Sequence, residues 1–243
     1  MPYSVRVTDP QPAGLPTAAA PRSLPIRMLA EALGSAGLAA TVIGSGIMAT
    51  RLTDDGGVQL LINAVATAAA LVVLIVVLGP VSGAHLNPVV TAALVAVGRV
   101  PAREILPVTA AQLVGFVAGA VLANLMFGGA AVSISTTERA GLPLLLGEVV
   151  ATAGLVAVIL TLVLRGQGGW VPAAVGLYIG SAYFATSSTS FANPGITVGR
   201  MLSDSFAGIA PANAPAFVGA QLLGALLGVI VVRFVLVPRD VSP

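Results

Sequence analysis

The sequence predicts an all-α integral membrane protein, with six transmembrane helices plus two re-entrant half-helices arranged as an inverted 3+3 repeat. Three observations carry this prediction. Of 243 residues, 57% are hydrophobic and 8% charged, and the mean hydropathy is +1.01. Six long apolar segments follow one another, most of them near the roughly 20 residues that cross about 30 Å of hydrocarbon. Short motifs of the first half return in the second half in the same order. A soluble domain carries about 25% charge, whereas 11 basic and 9 acidic side chains leave a chain of this length without a wettable surface. An ordinary soluble enzyme and a disordered chain are therefore excluded. Basic residues are too dispersed for nucleic acid. There is no cysteine and one histidine, so no metal site, cofactor or thiol chemistry is expected.

In chain order, residues 1–25 are rich in Pro and Ala and lack a signal pattern, so a loose tail is expected. Spans are expected at about 28–50, 58–79, 103–127, 143–164, 171–187 and 214–237. They are helices because lipid cannot satisfy open backbone groups. Small-residue faces such as Gly115 to Gly119 and Gly224 to Gly228 suit close helix packing. Two further apolar stretches, 86–98 and 193–205, would reach only about 20 Å as helix, too short to cross. Each follows a run of small or turn-forming residues, Gly79 to Ala84 and Thr186 to Ser190. Each is expected to dip into the protein and return as half a helix.

The repeat runs through both halves, 26–128 and 142–238. Glu31 and Glu148 lie 117 residues apart, Gln112 and Gln221 lie 109 apart, and Asn87 and Asn193 lie 106 apart. Each half holds three spans, an odd number, so the second half is inserted upside down. Inverted repeats put their functional site near the bilayer midplane, often on broken helices. Asn87-Pro88 and Asn193-Pro194 fit that place. Asn is a strong helix N-cap, and Pro suits the first helical turn. Two such starts would meet near the bilayer centre, each carrying about half a positive charge from its peptide dipoles. A neutral hydroxylated solute would find hydrogen-bond donors there, while a cation would be stripped of water against two positive ends. With both termini inside, eight arginines face inward (Arg6, Arg22, Arg27, Arg99, Arg103, Arg165, Arg233, Arg239) and three outward (Arg51, Arg139, Arg200). That agrees with the positive-inside rule.

The segments Ser82-Gly83-Ala84-His85-Leu86-Asn87-Pro88-Val89 and Ser190-Phe191-Ala192-Asn193-Pro194-Gly195 resemble those of the aquaporin (major intrinsic protein) family. The paired glutamates and the Gln-Leu-x-Gly segments of spans three and six fit the same family, over residues 26–237. The resemblance implies a passive channel for uncharged solutes, one pore per subunit, four subunits per assembly and no enzymatic activity. The family usually has Ala where this chain has Val89 and Gly195, which would alter how the half-helices pack together. The family's constriction positions, carried over by distance from the two asparagines, fall on Thr67, Ser181, Ser190 and Ile196. The aromatic, histidine and arginine typical there are absent. Arg200 lies one turn beyond Ile196, a turn expected to carry it away from the constriction. The chain looks most like a bacterial, arsenic-resistance-associated branch without the arginine. A wide opening for glycerol-like polyols, water, arsenous acid or methylated arsenicals is the implied function.

Several residues keep two readings at this stage. His85 is a vestibule-lining residue or a hydrogen-bonded core histidine. Glu31 and Glu148 would be proton relays in a coupled transporter, or acceptors for loop N–H groups; their matching repeat positions favour the second. Arg200 pairs with Asp204 four residues on, or adds positive potential at the mouth. Tyr178 and Tyr183 are expected to pack rather than line a pore. Asn63 and Asn124 are expected to bond between helices, and Trp170 to anchor at the interface.

Overall fold

A computed structural model describes residues 22–237. Of the expected tail, residues 1–21 lie outside the described residues, and Leu24 already belongs to the first helix. The helices are α1 (Leu24–Leu52), α2 (Gly56–Ser82), α3 (Pro88–Ala96), α4 (Ile105–Met126), α5 (Leu142–Leu164), α6 (Val171–Ala185), α7 (Pro194–Arg200) and α8 (Ala214–Val231). Five are long and apolar enough to cross a membrane, counting the short turns that extend α4 and α8. The sixth span, α6, has 15 residues and is lengthened by the 3-10 turn Gly168–Trp170.

The two half-helices are shorter than the sequence suggests. α3 has 9 residues and α7 has 7, because each stops in a turn: Gly98 takes a φ of 74° after α3, and α7 gives way to a turn at Met201. Residues 97–98 and 201–205 prolong the stretches read from the sequence but not the helices.

The packing obeys the inverted repeat. α1 rests on α4 as α5 rests on α8, and α1 meets α2 as α5 meets α6. Each half-helix packs on the last span of both halves: α3 on α4 and α8, α7 on α8 and α4. The close crossings follow from small residues. A Cβ on Gly115 or Gly119 would strike the carbonyls of Ala32 or Ala36 on α1, and one on Gly224 or Gly228 those of Val149 or Ala153 on α5. In lipid, where apolar burial drives little association, such backbone approach is what holds helices together.

Other expectations resolve plainly. Asn63 Nδ2 donates to Val42 O at 2.7 Å and Ser45 Oγ at 2.8 Å, joining α2 to α1. Asn124 instead ties down loops, donating to Ala131 O and Leu202 O. Tyr178 packs, with its hydroxyl on Val150 O and Ala151 O. Trp170 is exposed at the start of α6. Arg27 pairs with Glu104 at 2.7 Å, fastening α1 to the entry of α4. Among the described residues, six arginines lie toward the end of the bundle where α1 starts, against three toward the other end.

Candidate functional site

Each half places a buried carboxylate under its own re-entrant loop. Glu31 Oε1 accepts from His85 N (2.9 Å) and Ser82 Oγ (2.7 Å), and Oε2 from Leu86 N (2.8 Å) and Gln112 Nε2 (2.8 Å). Glu148 Oε1 accepts from Phe191 N (2.9 Å), and Oε2 from Ala192 N (2.9 Å) and Gln221 Nε2 (2.6 Å). Neither carboxylate lines the cavity described below. Both glutamates therefore sit as acceptors for loop N–H groups. The two glutamines of the repeat, whose role the sequence left unassigned, complete each carboxylate's partners.

The loops need this support. Ala84 (φ 46°), Leu86 (φ 48°), Ser190 (φ 53°) and Ala192 (φ 47°) are all left-handed. A residue with a side chain held there costs on the order of 1–3 kcal/mol and persists only when its surroundings fix it. The four stand three and one residues before each asparagine, so the strain repeats with the inverted symmetry.

That backbone aims the asparagines. Asn87 Oδ1 caps α3 by accepting from Val89 N (3.1 Å), and its Nδ2 donates to Ala192 O (2.8 Å) of the other half. Asn193 Oδ1 caps α7 through Gly195 N (2.9 Å) and Ile196 N (3.3 Å), and its Nδ2 donates to Leu86 O (2.8 Å). A primary amide has two N–H groups, so each asparagine keeps one for another partner. The half-helix starts meet tip to tip, as the sequence suggests. Pro88 and Pro194 open the two helices, and Val89 lies buried beside them. Gly195 has a physical reason: the Phe116 ring on α4 occupies the space a Cβ would need.

One cavity of about 360 Å³ passes both asparagines. Its walls are mainly aliphatic, including Leu38, Leu71, Leu94, Leu155, Ile159 and Val175. Thr67, His85, Ser190 and Ile196 line it, as carried over from the sequence. His85 lines the cavity, and its Nδ1 meets Thr91 Oγ1 at 3.1 Å.

Three placements differ from expectation. Ser181 is off the lining; it is exposed and donates to Tyr178 O at 2.8 Å. Counting residues back along α6 chose the wrong face, and Ile179 and Tyr183 face the cavity instead. Tyr183, expected to pack, meets Thr67 Oγ1 at 3.1 Å across the cavity wall. Arg200 also lines the cavity, 2% exposed. Residues four apart share a helix face, so the turn beyond Ile196 keeps Arg200 on the same wall. It does not pair with Asp204, which lies past the helix end and accepts from Thr136 N and Oγ1. Outside the spans, burial pulls the Arg139 guanidinium below its ordinary value.

The fold and site define a membrane channel built on two facing half-helices. Residues 22–192 match the Major intrinsic protein family, and the chain belongs to that family. It is 46% identical to aquaglyceroporin AqpS of Rhizobium meliloti (strain 1021) over 222 residues, covering 89% of this chain and 95% of that protein. It is 30% identical to aquaporin Z of Bradyrhizobium diazoefficiens over 222 residues, covering 84% of this chain and 91% of that one. The X-ray structure of the aquaglyceroporin from Plasmodium falciparum shares the fold, with a TM-score of 0.68 at 20% identity, over 89% of this chain and 98% of that chain.

Proposed function

We propose that the chain is a passive channel for small uncharged solutes, and that they pass the Asn87–Asn193 pair in the cavity described above. The observation that carries this reading is the one free N–H left on each asparagine after capping and cross-bonding. A solute oxygen shed of water finds two donors there, with aliphatic wall opposite. Amphipathic solutes suit such a lining: polyols such as glycerol, water, and neutral metalloid hydroxides such as arsenous acid or its methylated forms. Thr67, Ser190 and Ile196 form the constriction in this reading, joined by Tyr183 in place of Ser181. His85 lines the vestibule on the other side of the asparagines.

The protein acts as a homotetramer in a bacterial plasma membrane with both termini cytoplasmic. Exposed apolar side chains such as Leu106, Leu142, Leu177 and Phe234 support faces that meet lipid or a second subunit. The excess of arginine on the terminal face supports the orientation.

A solute panel on proteoliposomes tests the reading: water, glycerol, urea, arsenite and methylarsenite, followed by stopped-flow light scattering or by uptake. Flux of at least one neutral solute well above empty liposomes is expected. No flux for any of them contradicts the proposal.

A further inference from the structure

Ile196 stands where the resemblance places an arginine in the family's filter, yet the cavity is not without a cation at that end. Arg200 lies one helical turn further out on the same face of α7 and lines the same cavity. Its side chain is seated rather than loose. The guanidinium carbon lies 3.3 Å from the centre of the Phe191 ring, and Nε donates to Ala207 O. Among the described residues no hydrogen bond uses its two Nη nitrogens, and no carboxylate pairs with it. Arg139 approaches the same ring at 5.0 Å, but its Nε and Nη2 donate to Gly208 O (2.7 Å) and Phe206 O (3.2 Å), and it is not part of the cavity lining.

A second feature at this level also lacks a partner. Ser190 Oγ is buried without a hydrogen bond among the described residues, and Ser190 lines the cavity. Thr67 and Tyr183 add two hydroxyls. This end of the cavity thus combines guanidinium donors and three hydroxyls, in a low-dielectric wall where charge acts strongly.

We propose that Arg200 is a specificity-determining residue of the channel, supplying from one turn beyond Ile196 the positive charge that Ile196 lacks. The inference rests on the channel reading above. The Nη groups donate to the oxygen atoms of a neutral oxygen-bearing solute, with the Ser190 hydroxyl close behind the wall. A monovalent cation at the same place loses its water beside a fixed positive charge and is turned back. Phe191 holds the guanidinium flat against the wall, which keeps the passage open while the charge stays in it.

The test uses the full chain in proteoliposomes and reads the ratio of potassium leak to glycerol flux. Arg200→Met should raise that ratio about tenfold or more, because a fixed charge in a dry wall contributes that much at close range. Arg200→Lys should stay near wild type. The double variant Ile196→Arg with Arg200→Met should bring the ratio back down, which a merely structural role for Arg200 would not produce. If Arg200→Met fails to fold, Phe191→Leu unseats the guanidinium without removing it, and a smaller rise is expected. An unchanged ratio in folded Arg200→Met, or in Phe191→Leu where that variant stands in, overturns the inference. Wild-type liposomes that pass none of the solutes overturn the channel reading and this inference with it; wild-type flux beside an unchanged variant overturns this inference alone.

Discussion

Glu31 and Glu148 decide whether the re-entrant loops hold their shape. Each carboxylate accepts two backbone N–H groups and a glutamine amide from elements far apart in the chain. Glu31→Gln turns one acceptor oxygen into a donor that faces other donors. A buried group left unpaired costs about 1–3 kcal/mol, so thermal unfolding in detergent should show a clear drop in stability. Flux per folded molecule should change much less, because Glu31 does not touch the cavity. Normal stability with lost flux would instead mark a proton relay. In the cavity wall, Ile196→Arg places a long side chain where a short aliphatic one stands; stopped-flow glycerol flux should fall several-fold. The burial of the two glutamates beside the loops was legible from residue type and repeat position; Ile196 was singled out only through the family resemblance. The place of Ser181 was not legible, because two residues along a helix turn a side chain by about 200°. Tyr183 was expected to pack because counting from the asparagines does not say which face of α6 meets the cavity, and Arg200 was set beyond the constriction although four residues return a helix to the same face.

Among the elements, α3 and α7 show what a sequence pattern leaves open. The Asn-Pro starts were legible, since capping chemistry is local. The ends were not, because the stretches read from the sequence ran to Gly98 and Ser205 while the helices stop at Ala96 and Arg200. The contact between α7 and α4 gives a direct check. Gly195→Ala should drive its methyl group into the Phe116 ring, and overpacking of this kind costs about 1–3 kcal/mol. Pairing it with Phe116→Leu should recover much of that loss, read as the midpoint of thermal unfolding. A harmless Gly195→Ala would mean that Phe116 does not set the half-helix position. The same reasoning explains the tight seams of α1 with α4 and α5 with α8, where glycines four residues apart admit the neighbouring backbone.

The whole molecule is one three-helix design used twice in opposite senses, and its pairings match across the halves. Hydropathy and repeat order made this architecture legible; the width and wall chemistry of the cavity depend on side-chain directions that only coordinates give. Four chains per assembly are expected, so native mass spectrometry of the detergent-solubilised protein should show a tetramer, and a monomer throughout would contradict the proposed assembly. The central claim is passive passage of uncharged solutes along the cavity beside the two asparagines. It is tested most directly by stopped-flow glycerol flux into wild-type proteoliposomes, with and without a protonophore under an imposed proton gradient. The account predicts equal rates in both conditions, well above protein-free liposomes. Flux that collapses when the protonophore is added would contradict it and make the protein a coupled transporter.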